Sequence, residues 1–252
     1  MPCLCSPARA QAASDTLCQA ATLSIGAFNE NRRDNADSPL AYAGSGFDAR
    51  IDYVRNRAGR RWFFSLDAGS ATVAPRASAL SSESEEGFGA YTVGAGTDWR
   101  LRGGSARTGE FAVGVQFGAV LTVTRHLYSN QQGLTEQTFD LADLTLAPVA
   151  RWTRQLGAGA LTASLAVPLA AWVDHPYADV RFANQFVDFR FVPVTRFRQA
   201  DGALAYDFKP GDRYGFTVAY RVDAVELDDL QPVRRFTQSL TVALVRRFGP
   251  LP

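Results

Sequence analysis

The stretch FAVGVQFGAVLTVTRH, Phe111 to His126, alternates without a break. Its odd positions, Phe111, Val113, Val115, Phe117, Ala119, Leu121 and Val123, are all apolar, whereas its even positions, Ala112, Gly114, Gln116, Gly118, Val120, Thr122, Thr124 and His126, are mostly small or polar. A period of two puts successive side chains on opposite faces of a strand. Strands of water-soluble domains run about 5–6 residues, while a strand crossing an outer membrane needs roughly 9–11 tilted residues. This stretch is long enough to cross and to continue beyond the surface.

The composition fits such a reading and removes others. The chain has 252 residues, 46% of them hydrophobic, and a net charge of +1 with acids and bases interspersed. That length suits one sizeable all-β unit, and the absence of a basic field argues against nucleic acid as a partner. No uninterrupted apolar run of the roughly 18 residues a membrane helix needs occurs, but a membrane barrel hides its apolar surface at every second residue. Cys3, Cys5 and Cys18 all precede the first strand and frame neither a disulfide scaffold nor a zinc site, so no metal or other cofactor is expected. Residues 1–20 read as the remnant of an export signal, with Ala8-Arg9-Ala10 in small-x-small form, or as a disordered extension.

Ten strands are expected, over 21–32, 45–56, 60–71, 87–102, 109–128, 138–156, 159–174, 189–208, 213–225 and 234–248. The connections alternate in length. Arg57 to Gly59, GGSART, Leu156 to Ala158 and KPGD are short, whereas DNADSPLAYAG, TVAPRASALSSESEE, SNQQGLTEQ, HPYADVRFANQFVD and ELDDLQPVR are long. Segregation of loops by parity is expected of an up-and-down transmembrane β-barrel, with long loops outside and tight turns in the periplasm. Starting β-strand one in the periplasm puts every long loop outside and both termini in the periplasm. The fold expected is therefore all-β, a single antiparallel ten-stranded transmembrane barrel over 21–248, followed by a short tail at 249–252.

Each strand shows one apolar and one charged face. Tyr91, Val93, Ala95 and Trp99 oppose Thr92, Gly94, Asp98 and Arg100, and Phe47, Ala49, Ile51 and Tyr53 oppose Asp48, Arg50 and Asp52. In a soluble barrel the apolar face would be the core; in a membrane barrel it meets lipid and the charges line the lumen. Aromatics near strand ends, Trp62, Trp99, Trp152, Trp172, Tyr53, Tyr91, Tyr214, Tyr220 and Phe248, favour the second arrangement, because rings with a polar handle settle at the water–lipid boundary. The last strand, SLTVALVRRF, resembles the terminal strand of bacterial outer-membrane proteins, which ends at or near an aromatic residue read by the assembly machinery; here GPLP follows Phe248. That resemblance, at the level of the class, implies residence in a bacterial outer membrane, with lipid and the barrel-assembly machinery as partners.

The expected lumen residues are Asp48, Arg50, Asp52, Arg61, Asp67, Asp98, Arg100, His126, Asp143, Arg151, Arg221, Asp223 and Arg247. Paired Asp and Arg would fill the little space ten strands enclose, leaving a plugged lumen or a narrow polar passage for small solutes. A structural or interaction role follows, with two alternatives: a surface hydrolase and a soluble β-barrel binding protein. For the hydrolase, RHLYSN resembles the His-x-Ser-Asn element of lipid A deacylase barrels, but Ser129 lies three residues after His126 and points to the opposite face of a regular strand. Asp174-His175 is similar to the Asp–His pairing of omptin proteases, whose second acidic pair is not reproduced; Asp228-Asp229 reads as a solvated loop tip. No catalytic residue is therefore assigned. Finally, the outward phase slips between Phe191, Phe197 and Leu204, which predicts a β-bulge or a bend near Gln199 to Gly202, with Pro193 near a strand end or a bulge.

Overall fold

The computed structural model describes residues 18–34, 38–75, 84–101, 109–128, 135–174, 190–208, 213–228 and 232–248. Among them the regular structure is all β: β1 Cys18–Asp34, β2 Ser38–Arg57, β3 Arg60–Pro75, β4 Ser84–Arg100, β5 Glu110–Tyr128, β6 Thr135–Leu156, β7 Gly159–Ala166, β8 Ala170–Asp174, β9 Arg190–Pro193, β10 Phe197–Phe208, β11 Tyr214–Leu227 and β12 Val233–Phe248. Every pairing is antiparallel. The order β5-β4-β3-β2-β1-β12-β11-β10-β7-β6 returns on itself through β5–β6, giving a closed barrel of ten strands; β8 carries on from β7 along β6 after a break at 167–169, and β9, paired with β8, leads into β10. Closure leaves no edge within the ring, the condition under which strands can live in lipid.

Local sequence explains the two tight turns in view. Arg57 pairs with Arg60, and the two residues between them, Ala58 and Gly59, both have positive φ (48° and 75°), as a type I′ turn demands. Leu156 pairs with Gly159 around Gly157 (φ 58°) and Ala158, which places glycine first, as in type II′. These are two of the four short connections expected; GGSART and KPGD lie outside the described residues. Of the expected long connections, DNADSPLAYAG is mostly strand, because β2 already begins at Ser38, paired with Asp34.

The expected irregularity sits a few residues earlier than the phase slip suggested. β10 pairs with β11 without interruption from Phe197↔Leu227 to Phe208↔Phe216, so Gln199 to Gly202 is regular strand. The break falls instead after Pro193, where Arg196 N–H returns to the Pro193 carbonyl at 2.9 Å in a turn. This turn reverses the phase, so that Phe191 faces out and Phe197, expected outside, is buried inside at 1% exposure. Pro193 does end its strand, as its missing N–H dictates. A second correction concerns Cys18, which opens β1 and is disulfide-bonded; its possible partners Cys3 and Cys5 lie outside the described residues.

Alternation sorts the two faces. Phe47 is 78% exposed, and Leu23, Ile25, Ile51, Leu66, Val93, Val113, Val115, Phe117, Val218, Leu240, Val242 and Leu244 lie on the same outer surface. An exposed apolar surface this continuous exceeds what a water-exposed monomer normally carries.

Candidate functional site

The inner wall starts from the small residues that opened the sequence. On β5, Ala112, Gly114 and Gly118 face inward, and a Cβ on Gly114 would strike the Thr97 carbonyl oxygen and lie 2.6 Å from Asp98 Cα. Keeping that side of β5 low lets side chains on β4 and β6 meet over it. Asp98 on β4, 1% exposed, accepts two hydrogen bonds from Arg151 on β6, Nη2 to Oδ1 at 2.8 Å and Nε to Oδ2 at 3.1 Å. Its Oδ2 also accepts Arg61 Nη1 from β3 at 3.0 Å. A bidentate fork plus a second guanidinium is the strongest form of such pairing and fixes all three side chains. Arg151 Nη1 extends the chain to Thr153 Oγ1 at 3.2 Å.

A second group occupies the middle of the lumen. Arg50 Nε donates to Asp52 Oδ1 at 2.7 Å, and Arg50 also lies 3.9 Å from Asp67. Arg221, on β11, reaches 3.8 Å from the same Asp67 on β3. Those strands stand four places apart around a ring of ten, so this ion pair crosses the lumen between nearly opposite walls. Asp48 interacts electrostatically with Arg221 and Arg50, over a glycine, Gly26, whose added Cβ would collide with the carboxylate.

Toward the loop end the balance turns acidic. Arg235 Nη2 donates to Asp223 Oδ2 at 3.1 Å, Thr237 Oγ1 to Glu30 Oε2 at 2.6 Å, and Gln199 Nε2 to Asp201 Oδ1 at 3.3 Å. Asp143, 1% exposed, lies within electrostatic range of Arg235 and Asp223, yet neither of its oxygens has a hydrogen-bond partner. Apolar side chains also face inward here. Phe28, Tyr42, Ala71, Val73 and Phe88 form one cluster, and Ala171, Val173, Val192, Phe197, Val225, Leu227 and Val233 another, so the loop-end interior is not purely ionic as the sequence suggested.

Of the expected lumen residues, Asp48, Arg50, Asp52, Asp67 and Arg221 meet in the middle group, and Arg61, Asp98 and Arg151 in the turn-end clamp. Asp143 and Asp223 join the loop-end group. Arg100 is a correction: at 38% exposure it stands at the turn rim, paired with Glu110 at 3.2 Å, rather than in the interior network. Arg247 also sits at that rim, with Nη1 donating to the Tyr214 carbonyl at 3.1 Å. His126 falls in β5, opposite Glu86 and Glu136 in register, but its side chain is outside the described set, as are Ser129 and His175. Asp174 ends β8, half-buried. Among the described residues no group of three or more acidic, His or Cys side chains could hold a metal ion.

Sequence reading missed Glu30, Asp201 and Arg235. Two carried a signal: Arg235 shares the phase of Arg247 on one strand, and Glu30 the phase of Ser24 and Phe28. Asp201 lay within the misplaced bulge.

No protein-family model and no curated protein matches the chain. Among solved structures, the translocator domain of the autotransporter NalP from Neisseria meningitidis is similar at 9% identity and TM-score 0.47, over 93% of this chain and 89% of that one. The outer membrane protease OmpT from Escherichia coli is similar at 9% identity and TM-score 0.44, over 93% and 97%. Ail, the attachment invasion locus protein of Yersinia pestis, is similar at 12% identity and TM-score 0.38, over 91% and 98%.

Proposed function

We propose that this chain is an integral outer-membrane barrel that acts as a rigid, closed scaffold, presenting its long loops outside and its tight turns to the periplasm, and not as an open channel. The observation that carries this reading is the Arg221–Asp67 pair spanning the lumen, 3.8 Å between nearly opposite strands. The Asp98 clamp closes the turn end in the same sense, and the apolar clusters around Phe28 and Phe197 fill the loop end. Small barrels are ordinarily filled by side chains in this way. The apolar outer surface and its aromatic flanks support insertion in lipid, and the alternating strand ending at Phe248 supports delivery by the barrel-assembly machinery. Among the described residues the interior chemistry is ion pairing, which supports a structural role or one of interaction through the loops.

A second reading, a narrow passage for small cations, draws on one feature. The loop-end carboxylates Glu30, Asp143 and Asp223 each retain an oxygen without a partner, which would favour a cation over an anion. Planar-bilayer recording separates the two. The purified, heat-modifiable barrel is expected to give no resolvable conductance steps, and cation-selective steps would replace the scaffold reading with the passage. Monodisperse behaviour without detergent would overturn both.

A further inference from the structure

The turn rim carries charge that the lumen does not use. The β2–β3 hairpin reads RNRAGRR, and its outward phase places Arg55, Arg57 and Arg60 together on the lipid side. Arg57 stands directly opposite Arg60, and Arg55 opposite Trp62. Like charges facing each other across a ladder destabilise it, so the pair calls for an anion. Nothing on the chain supplies one among the described residues. The carboxylates near this end, Asp52, Asp98, Glu110 and Asp207, all lie on the inner face, engaged by Arg50, by Arg61 and Arg151, by Arg100 and by Thr217.

Arg60 is already held. Its guanidinium stacks 4.0 Å from the Trp62 ring and 5.2 Å from Trp99, and Nε donates to Thr97 Oγ1 at 3.0 Å. Arg55 and Arg57 are exposed beside this platform, at the depth where Tyr53, Trp62 and Trp99 mark the water–lipid boundary. Two forks aimed at lipid at that depth match the phosphate of a headgroup, which guanidinium binds bidentately. A soluble anion would approach from the aqueous side, where the lumen-facing rim charges are already paired.

We propose that Arg55 and Arg57, backed by the Arg60–Trp62–Trp99 stack, bind the phosphate of an anionic phospholipid headgroup in the leaflet at the turn end. The inference rests on the membrane reading above and adds a lipid preference to it.

The test uses the full-length barrel in detergent, first checked for heat-modifiable migration, then titrated with phosphatidylglycerol, phosphatidylcholine or inorganic phosphate under native mass spectrometry. Wild type is expected to retain phosphatidylglycerol at least tenfold more tightly than phosphatidylcholine. R55Q/R57Q is expected to weaken that binding by about 25-fold, roughly fivefold per arginine at an anionic surface. R55K/R57K keeps the charge but loses the fork, and is expected to fall between; Arg198→Gln, at the other end of the barrel, is expected to change nothing. A chain monodisperse without detergent, with no heat-modifiable band, overturns the membrane reading and this inference with it. A heat-modifiable barrel that holds both lipids alike, is insensitive to R55Q/R57Q and R55K/R57K, or binds inorganic phosphate as tightly as the lipid, overturns this inference alone.

Discussion

Asp98→Asn tests the interior most directly. The carboxylate is 1% exposed and neutralises two guanidinium groups at 2.8 and 3.0 Å, so the amide leaves two cations facing each other in a closed space. Removing one partner of a buried pair costs about 3–5 kcal/mol. Arg61 and Arg151 keep 28% and 22% of their side-chain surface exposed, and water screens them in part, so about 2–3 kcal/mol is expected here. Equilibrium urea unfolding in detergent micelles, read by the heat-modifiable band, measures it. With a slope of about 2 kcal/mol per molar, the midpoint should fall by about 1–1.5 M. A companion variant, D98N/R61M/R151M, removes the stranded cations as well and should recover most of the loss, because an apolar replacement of a whole buried ion group is close to neutral. The reasoning fails if Asp98→Asn unfolds within about 0.5 kcal/mol of wild type, or if the triple variant is no better than the single one.

Gly114→Val should reproduce the Asp98→Asn phenotype without touching a charge, since its side chain would displace Asp98 from Arg151, and a midpoint equal to wild type in the same titration would contradict the account of β5. Gly202→Ala, where a new Cβ meets nothing within 4 Å, should by contrast be tolerated in that assay. Leu240→Arg, outward and 57% exposed at the centre of β12, should cost about 2–4 kcal/mol in folding into lipid vesicles, whereas on a water-facing surface it would be nearly neutral. Ala58→Asn should stabilise by about 0.5–1 kcal/mol, because asparagine adopts the left-handed conformation at φ 48° more readily than alanine; an unchanged or lower urea midpoint would argue against the I′ turn.

Much of this architecture was legible because period two is a strong signal over strands of this length. FAVGVQFGAVLTVTRH gave the β5 face assignment directly: Phe111, Val113, Val115 and Phe117 are exposed outside, and Gly114 lies against Asp98 inside. The phase reading found the clamp residues Arg61, Asp98 and Arg151 individually, but not their meeting, because β4 and β6 are separated by β5 and their contact depends on how low that strand's inner face is. It failed at Phe197, where a turn following Pro193 reverses the phase in four residues, a distinction a hydrophobicity pattern does not carry. It also assigned apolar residues to lipid as a rule. Val73, Val173 and Leu227 are apolar and wholly enclosed, because the loop-end interior is closed by packing as well as by charge.

That division of the interior bears on what holds the barrel together. In the membrane setting proposed above, Phe47, Ile25 and Leu240 meet lipid before and after the barrel closes, so folding removes no water from them and the usual hydrophobic term is weak on the outer surface. The closed ladder satisfies the backbone, and what remains to select one register is inside: the guanidinium–carboxylate contacts of Asp98 and Asp67 and the enclosed Phe197 and Phe28 clusters. A one-residue slip would turn Asp98, Arg151 and Asp143 onto the outer surface and Trp99 and Leu144 into the lumen. On the membrane reading, charge inside therefore does in this barrel what apolar burial does in a water-soluble one. It also explains why Ala112, Gly114 and Gly118 stand on the inner face of β5 where Asp98 and Arg151 meet: there the interior needs reach across a strand more than it needs bulk upon it.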